Sequence, residues 1–146
     1  MWLSQRRGSS THTGSLAETG ARRFLRRQGL YCLRRNYRSR TGEIDLICLD
    51  DLNDREPVTL VIVEVRMRSS ITHGSPLLTV NRMKQRTIIA VTQDFLNGHP
   101  QFSGYRVRFD VVAVTPNDPG SSKFPGYWTP RYQFEWIKCA FNAEAY

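Results

Sequence analysis

Cysteine is scarce in this chain: Cys32, Cys48 and Cys139 are the only three in 146 residues, with no CxxC spacing among them. An odd, scattered set excludes a disulfide framework or a zinc knuckle as the organising device, and fits a reducing compartment. No apolar run approaches the ~18 residues of a membrane span, and the N-terminus lacks the apolar core of a secretory signal. The expected location is therefore the cytoplasm, with no membrane partner. Nucleotide-cradling GxGxxG and P-loop patterns are missing, as are HExxH for zinc and GxSxG for a nucleophile. The acidic run 50–56 lacks the glycine and closing glutamate of an EF-hand. Lysine is rare too, since 18 of the 21 basic residues are arginine.

What is present is unevenly spread. The first 42 residues hold ten arginines against one acid, Glu18, a net +9, while the remaining 104 residues come to −1, within a formal total of +8. Arginine presents a planar fork that grips phosphate in a bidentate way. A basic, arginine-dominated segment is the electrostatic footprint of a nucleic-acid binder; the alternative is a solubilising surface. At 40% hydrophobic, the chain suffices for one domain with a real core.

Residues 1–13 are polar and read as a flexible N-terminal tail. Leu16, Ala17, Gly20, Ala21, Phe24 and Leu25 then form an apolar stripe at helical spacing, closed by Gly29, with Arg22, Arg23, Arg26 and Arg27 on the opposite face. Glu18 stands three residues after Ser15, the spacing of a capping box. Leu30 to Tyr37 alternates as a strand, with Tyr31, Leu33, Arg35 and Tyr37 on one side, and a basic turn through Arg38 and Arg40 follows.

The most informative stretch runs from Gly42 to Arg68. Two runs rich in β-branched residues, Ile44 to Leu49 and Leu60 to Val65, flank a polar turn and read as a β-hairpin. Alternation puts Glu43, Asp45 and Ile47 on one face, and Ile62, Glu64, Arg66 and Arg68 on one face of the partner. In register, carboxylates from both strands meet. Buried carboxylates need pairing, hydrogen bonds or a metal, and their oxygens suit a hard ion such as magnesium.

Ser69 to Leu78 reads as a loop, with His73 in it. A second helix is expected from about Val80 to Leu96, with Met83, Thr87, Ile88, Val91 and Phe95 buried. Lys84 at the edge of that stripe either leans over the hairpin face or snorkels to solvent. Arg106 to Thr115 is a strand able to pair parallel to the hairpin through the helical crossover, and Asp110 within it is a candidate partner for an arginine. A Pro, Gly and Ser linker over 116–130 leads to 131–146, where Tyr132, Phe134 and Trp136 alternate on one face, as core or subunit contact. With the core domain spanning 14–115, the elements imply an α/β (or α+β) domain built on a small mixed sheet flanked by helices.

Gly42-Glu43-Ile44-Asp45-Leu46-Ile47, then Val63-Glu64-Val65-Arg66-x-Arg68, Lys84 on a helix and Arg108-Phe109-Asp110-Val111-Val112 together resemble the YraN-like bacterial family, from about Glu18 to Ile137. That family is similar in turn to the restriction-endonuclease-like PD-(D/E)XK superfamily, above all its Holliday-junction-resolvase branch. The resemblance implies an αβββαβ core and a magnesium-dependent (or manganese-dependent) phosphodiesterase site; DNA is favoured over RNA as the nucleic-acid partner, and the sequence leaves both open. Carried over by position, Glu18 would be the outer carboxylate, and Asp45, Glu64 and the carbonyl of Val65 the metal ligands. Arg66 stands where the superfamily usually has a catalytic lysine. Arginine steadies phosphate charge but is no general base, so activation falls to the metal, or to Lys84, or the site binds without cutting.

The leading expectation is thus a metal-dependent endonuclease for branched or otherwise structured DNA, gripped by Arg22, Arg23, Arg26, Arg27, Arg35, Arg38, Arg40 and Arg68. A homodimer would suit paired cuts. The competing expectation is a nucleic-acid-binding module or protein-interaction domain that keeps the nuclease fold without turnover.

Overall fold

The computed structural model describes residues 8–52, 56–68, 80–117 and 132–143, with side chains from residue 14 onward. The expected loop with His73 and nearly all of the 116–130 linker lie outside the described residues. So do residues 1–7 of the expected tail.

The first helix, α1, runs Gly8–Arg27. It ends as its sequence dictates: Gly29 adopts φ 94°, the Leu30 N–H reaches the Leu25 carbonyl at 3.1 Å and the Gly29 N–H the Arg26 carbonyl at 3.0 Å. This is a Schellman closure, which glycine enters without a Cβ penalty. Its start differs from expectation. The helix already includes 8–13, which corrects the capping-box reading, because Ser15 and Glu18 lie inside the helix rather than at its first turn. Once a packed stripe has nucleated a helix, each added residue gains a hydrogen bond at little further cost.

Five strands follow around the second helix: β1 Tyr31–Arg38, β2 Glu43–Asp50, β3 Thr59–Met67, α2 Arg82–Gly98, β4 Arg106–Pro116 and β5 Tyr132–Phe141. They form one mixed sheet in the order β1-β2-β3-β4-β5. β3 and β4, joined through α2, are parallel, and every other neighbouring pair is antiparallel. The fold is therefore α+β, with the helix, three strands, helix and strand order of a restriction-endonuclease-like core. No helix among the described residues is long and apolar enough to cross a membrane.

Each sheet face buries one helix. On one side, Ala17, Ala21 and Leu25 of α1 pack on Leu46, Cys48, Val61, Val63, Val112 and Val114, with Phe134 and Trp136 of β5 against them. The aromatic stripe of β5 is thus core. On the other side, Ile88, Val91 and Phe95 of α2 pack on Ile47, Leu60, Ile62, Phe109 and Val111. Met83, expected in that stripe, is 79% exposed. The inward positions are Lys84, Ile88, Val91 and Phe95, a run at helical spacing that leaves residue 83 on the adjoining face.

Strict alternation fails at two places: β1 shifts its register on β2 between Cys32 and Arg34, and a second departure lies at Asn36 and Asp45. Ile44 and Ile47, three residues apart, pack in the same α2-side core. Across from them, Arg35 reaches Thr19 of α1 at 3.3 Å, whereas Tyr37 meets Phe95 of α2 edge-on at 5.1 Å. The expected common side for Tyr31, Leu33, Arg35 and Tyr37 is therefore corrected. Between the pairs Arg35↔Leu46 and Tyr37↔Ile44 stand Asn36 and Asp45, and Asn36 has φ 48°. Asn is the non-glycine residue best suited to the left-handed region. Its turn switches the faces of the edge strand, and β2 follows at Asp45.

Candidate metal and phosphate site

The register Leu46↔Val63 is the last pair between β2 and β3. One step beyond it, where the strands part, lie Asp45 and Glu64, 8% and 4% exposed. Asp45 fills the gap in the ladder: its Oδ2 accepts the Val65 backbone N–H at 2.7 Å. This satisfies a donor that strand pairing would otherwise have used. The carboxylates expected to meet across the hairpin are thus brought together.

Lys84 leans inward. Asn81 caps α2, its Oδ1 accepting the Lys84 N–H at 2.9 Å. Gly42, at the mouth of β2, lets the helix cross closely, since a Cβ there would lie 2.6 Å from Thr87 Cγ2. The Lys84 ammonium consequently stands 3.3 Å from Glu64 Oε1, and Arg66 Nη2 stands 3.2 Å from the same oxygen. Glu64 Oε2 is buried with no hydrogen-bond partner among the described residues, as is Arg66 Nε. Two cations crowd one oxygen and leave the other orphaned.

Burial pushes the Asp45 carboxyl up to about 7; the negative charges of Glu64 and Glu18 add to this, and the Val65 N–H and Lys84 oppose it. Burial also raises Glu64, with Lys84 and Arg66 opposing and Glu43 adding to the rise. Glu18 thus acts on the site from α1 and Lys84 from α2. Glu43 is more exposed and pairs with Arg38 at 3.1 Å. Among the described residues no three His, Cys, Asp or Glu side chains close into a complete metal cage. Two carboxylates nonetheless match magnesium, which usually binds protein through one or two and keeps water or substrate oxygens for the rest. The orphaned, buried Glu64 Oε2 fits a cation.

The predicted phosphate contacts divide. Arg23, Arg26, Arg27, Arg35, Arg38 and Arg40 are exposed along α1, β1 and the turn after it, and Arg22 is half-buried. Arg68 does not join Glu64. Its side chain is 11% exposed and faces Glu135 of β5 at 3.5 Å, while its N–H continues the β3–β4 ladder to the Val114 carbonyl at 2.8 Å.

Asp110, 0% exposed, proves to be an anchor, as its strand position among apolar residues indicated. Arg108 Nε and Nη2, Trp136 Nε1 and the Cys139 N–H all donate to it at 2.9–3.1 Å. Arg108 also reaches Asp50 at 2.9 Å, so β2, β4 and β5 are tied together. A separate cavity of about 450 Å³, lined by residues including Thr59, Ile89, Arg106 and Phe109, does not include the carboxylate pair. Sequence reasoning missed Asn36, whose only signal was its residue type, and the meeting of Cys32 with Cys48.

Residues 17–114 match the family described as "Uncharacterised protein family UPF0102". A UPF0102 protein from Alcanivorax borkumensis is 37% identical over 136 residues, covering 93% of this chain and 96% of the relative. One from Ralstonia nicotianae is 39% identical, covering 91% and 88%, and one from Methylococcus capsulatus is 39% identical, covering 90% and 92%. The match takes in α1 from Ala17 onward, the hairpin with Asp45 and Glu64, Lys84 and Asp110, and on this ground the chain belongs to the UPF0102, or YraN, family.

Proposed function

We propose that this chain is a metal-dependent endonuclease that hydrolyses phosphodiester bonds in DNA, with branched or structured DNA as its substrate class. The observation that carries the reading is the pair of buried carboxylates at the parting of β2 and β3, with Glu64 Oε2 unpartnered among the described residues and Asp45 held up to about 7. Burial is the first cause of the rise in both carboxyls, and a cation seated between them would offset the cost of ionising them. A magnesium or manganese ion held by Asp45, Glu64 and the Val65 carbonyl would act as a Lewis acid on the attacking water and the leaving oxygen. The carbonyl is a fitting third ligand, because the N–H and C=O of one strand residue point to the same side, here the gap that Asp45 fills.

The remaining residues have separable tasks. Arg66, always protonated, steadies charge on the phosphate oxygens and takes no proton from water. Lys84, anchored by the capped first turn of α2, holds Glu64 and brings a second positive charge to the phosphate. Glu18 is the outer carboxylate, and the arginines of α1 and β1 hold the DNA backbone. A homodimer would supply the second cut on a two-stranded substrate.

One observation favours a second reading, a nucleic-acid-binding or protein-interaction module without turnover: both Arg66 and Lys84 already bind Glu64 Oε1, as in a structural ion network. The two readings separate on Glu64→Gln. Protein and variant are incubated with a four-way DNA junction and a linear duplex in magnesium, with binding followed in parallel. A nuclease cuts, and the variant binds equally but does not cut. Absence of cutting by the parent, or equal cutting by both, contradicts the proposal.

A further inference from the structure

Cys32 and Cys48 face each other across β1 and β2 as a directly opposed pair, and their sulfurs touch. Both lie under α1: Cys48 is fully buried in that core and Cys32 half-buried against it. Opposed residues on antiparallel strands have Cα atoms ~4.5–5.5 Å apart, within the ~4.4–6.8 Å that a disulfide spans. The register alone thus brings the two residues within reach of a bridge. Cys139 cannot substitute for either, since it lies on β5 at the far edge of the sheet.

The surroundings give the two thiols different roles. Contact with the Cys48 thiol, and then the charges of Arg22 and Arg26, hold the Cys32 thiol below its ordinary range against the effect of burial. The same contact, together with burial, pushes Cys48 up. Cys32 is the more exposed thiol and is the one that feels the charges of both Arg22 and Arg26, so it reacts first. Cys48 is placed to resolve.

We propose that Cys32 and Cys48 form an oxidisable dithiol that closes to a cross-strand disulfide and fastens the edge strand β1 to β2. With glutathione disulfide as oxidant, the Cys32 thiolate attacks one sulfur, forms a mixed disulfide and expels one glutathione thiolate. Cys48 then loses its proton, attacks the Cys32 sulfur and expels the second glutathione. The protein gives up two electrons and two protons, and one glutathione disulfide becomes two glutathione thiols. In a reducing compartment the pair stays as thiols, and the bond forms under oxidation. The strand it fastens carries Arg34, Arg35 and Arg38, as well as Asn36, which stands opposite Asp45.

The test uses the full chain carrying Cys139→Ser, titrated with mixtures of reduced and oxidised glutathione, with alkylation and peptide mass mapping of the products. Expected is the joint loss of both thiols and a peptide linking Cys32 to Cys48 that is lighter by two hydrogens. A Tm higher by about 5 °C or more and slower amide exchange in β1 should accompany it, all reversed by dithiothreitol. A lasting glutathione adduct on Cys32 with Cys48 still open to alkylation overturns the proposal. So does retention of both free thiols in excess glutathione disulfide. Adding Cys32→Ser should abolish the reaction at Cys48. The linked peptide decides the matter without that variant should it fail to fold.

Discussion

Asp45→Asn offers a perturbation whose sign is set by the charge of the site. Asp45 is 8% exposed, and burial, followed by the charge of Glu64, raises its carboxyl from 3.8 to about 7. The folded protein therefore holds this proton more tightly than the unfolded chain does. Without metal, the stability it contributes is fully present below about pH 4, falls as pH rises towards 7, and is level above that. A difference of roughly three pH units at about 1.4 kcal/mol each makes the ionised carboxylate a liability of about 4 kcal/mol at pH 8. Asparagine keeps an oxygen for the Val65 N–H and carries no charge. In urea unfolding with a chelator present, Asp45→Asn should be more stable than the parent by up to about 4 kcal/mol at pH 8, with the advantage shrinking towards pH 4. Manganese should reverse the order, because only the parent gains from binding it. A variant less stable than the parent at pH 8 without metal, or a difference independent of pH, would show that the buried Asp45 charge is no liability.

Other consequences follow from the same geometry. Below pH 7 the apparent manganese affinity should fall about tenfold per pH unit if Asp45 must lose one proton on binding, and calorimetry across pH 5.5–8 checks this. Lys84→Met removes a charge that lowers both carboxyls, so the pH at which cleavage sets in should rise and the rate fall at least tenfold, read in a pH–rate profile. Arg26→Gln with Arg27→Gln should weaken DNA binding without sequence preference and reduce the salt slope by about 2. Asp110→Ala strips the anchor from Arg108, Trp136 and the Cys139 N–H and should destabilise by about 3–5 kcal/mol, measured by urea unfolding.

Much of this architecture is written in residue patterns that depend on regular geometry. The apolar runs of β2 and β3, the stripe ending at Gly29 and the periodicity of Ile88, Val91 and Phe95 each follow from one element's own repeat. Asp45 and Glu64 were legible because acids inside such runs need a reason. What escaped depends on departures from the repeat or on contacts between elements. The face switch at Asn36 cannot be seen by counting alternate residues, and it is this switch that accompanies the placing of Asp45 in the gap beside Val65. Lys84 could lean or snorkel as far as its own helix dictates, and the close crossing at Gly42 decides for leaning. Arg68 belongs by alternation with Glu64, but β3 ends at Met67 and Glu135 claims its guanidinium. The Cys32–Cys48 meeting needs the register of β1 on β2, which no spacing in the chain reveals.

The most direct test of the central claim is calorimetric titration of manganese into the parent and Asp45→Asn, with cleavage of a four-way DNA junction followed in the same samples. Binding and cutting by the parent are expected, with loss of both in a variant that remains folded and still binds DNA. Absence of metal binding by the parent with DNA present, or undiminished binding by the variant, would contradict the claim.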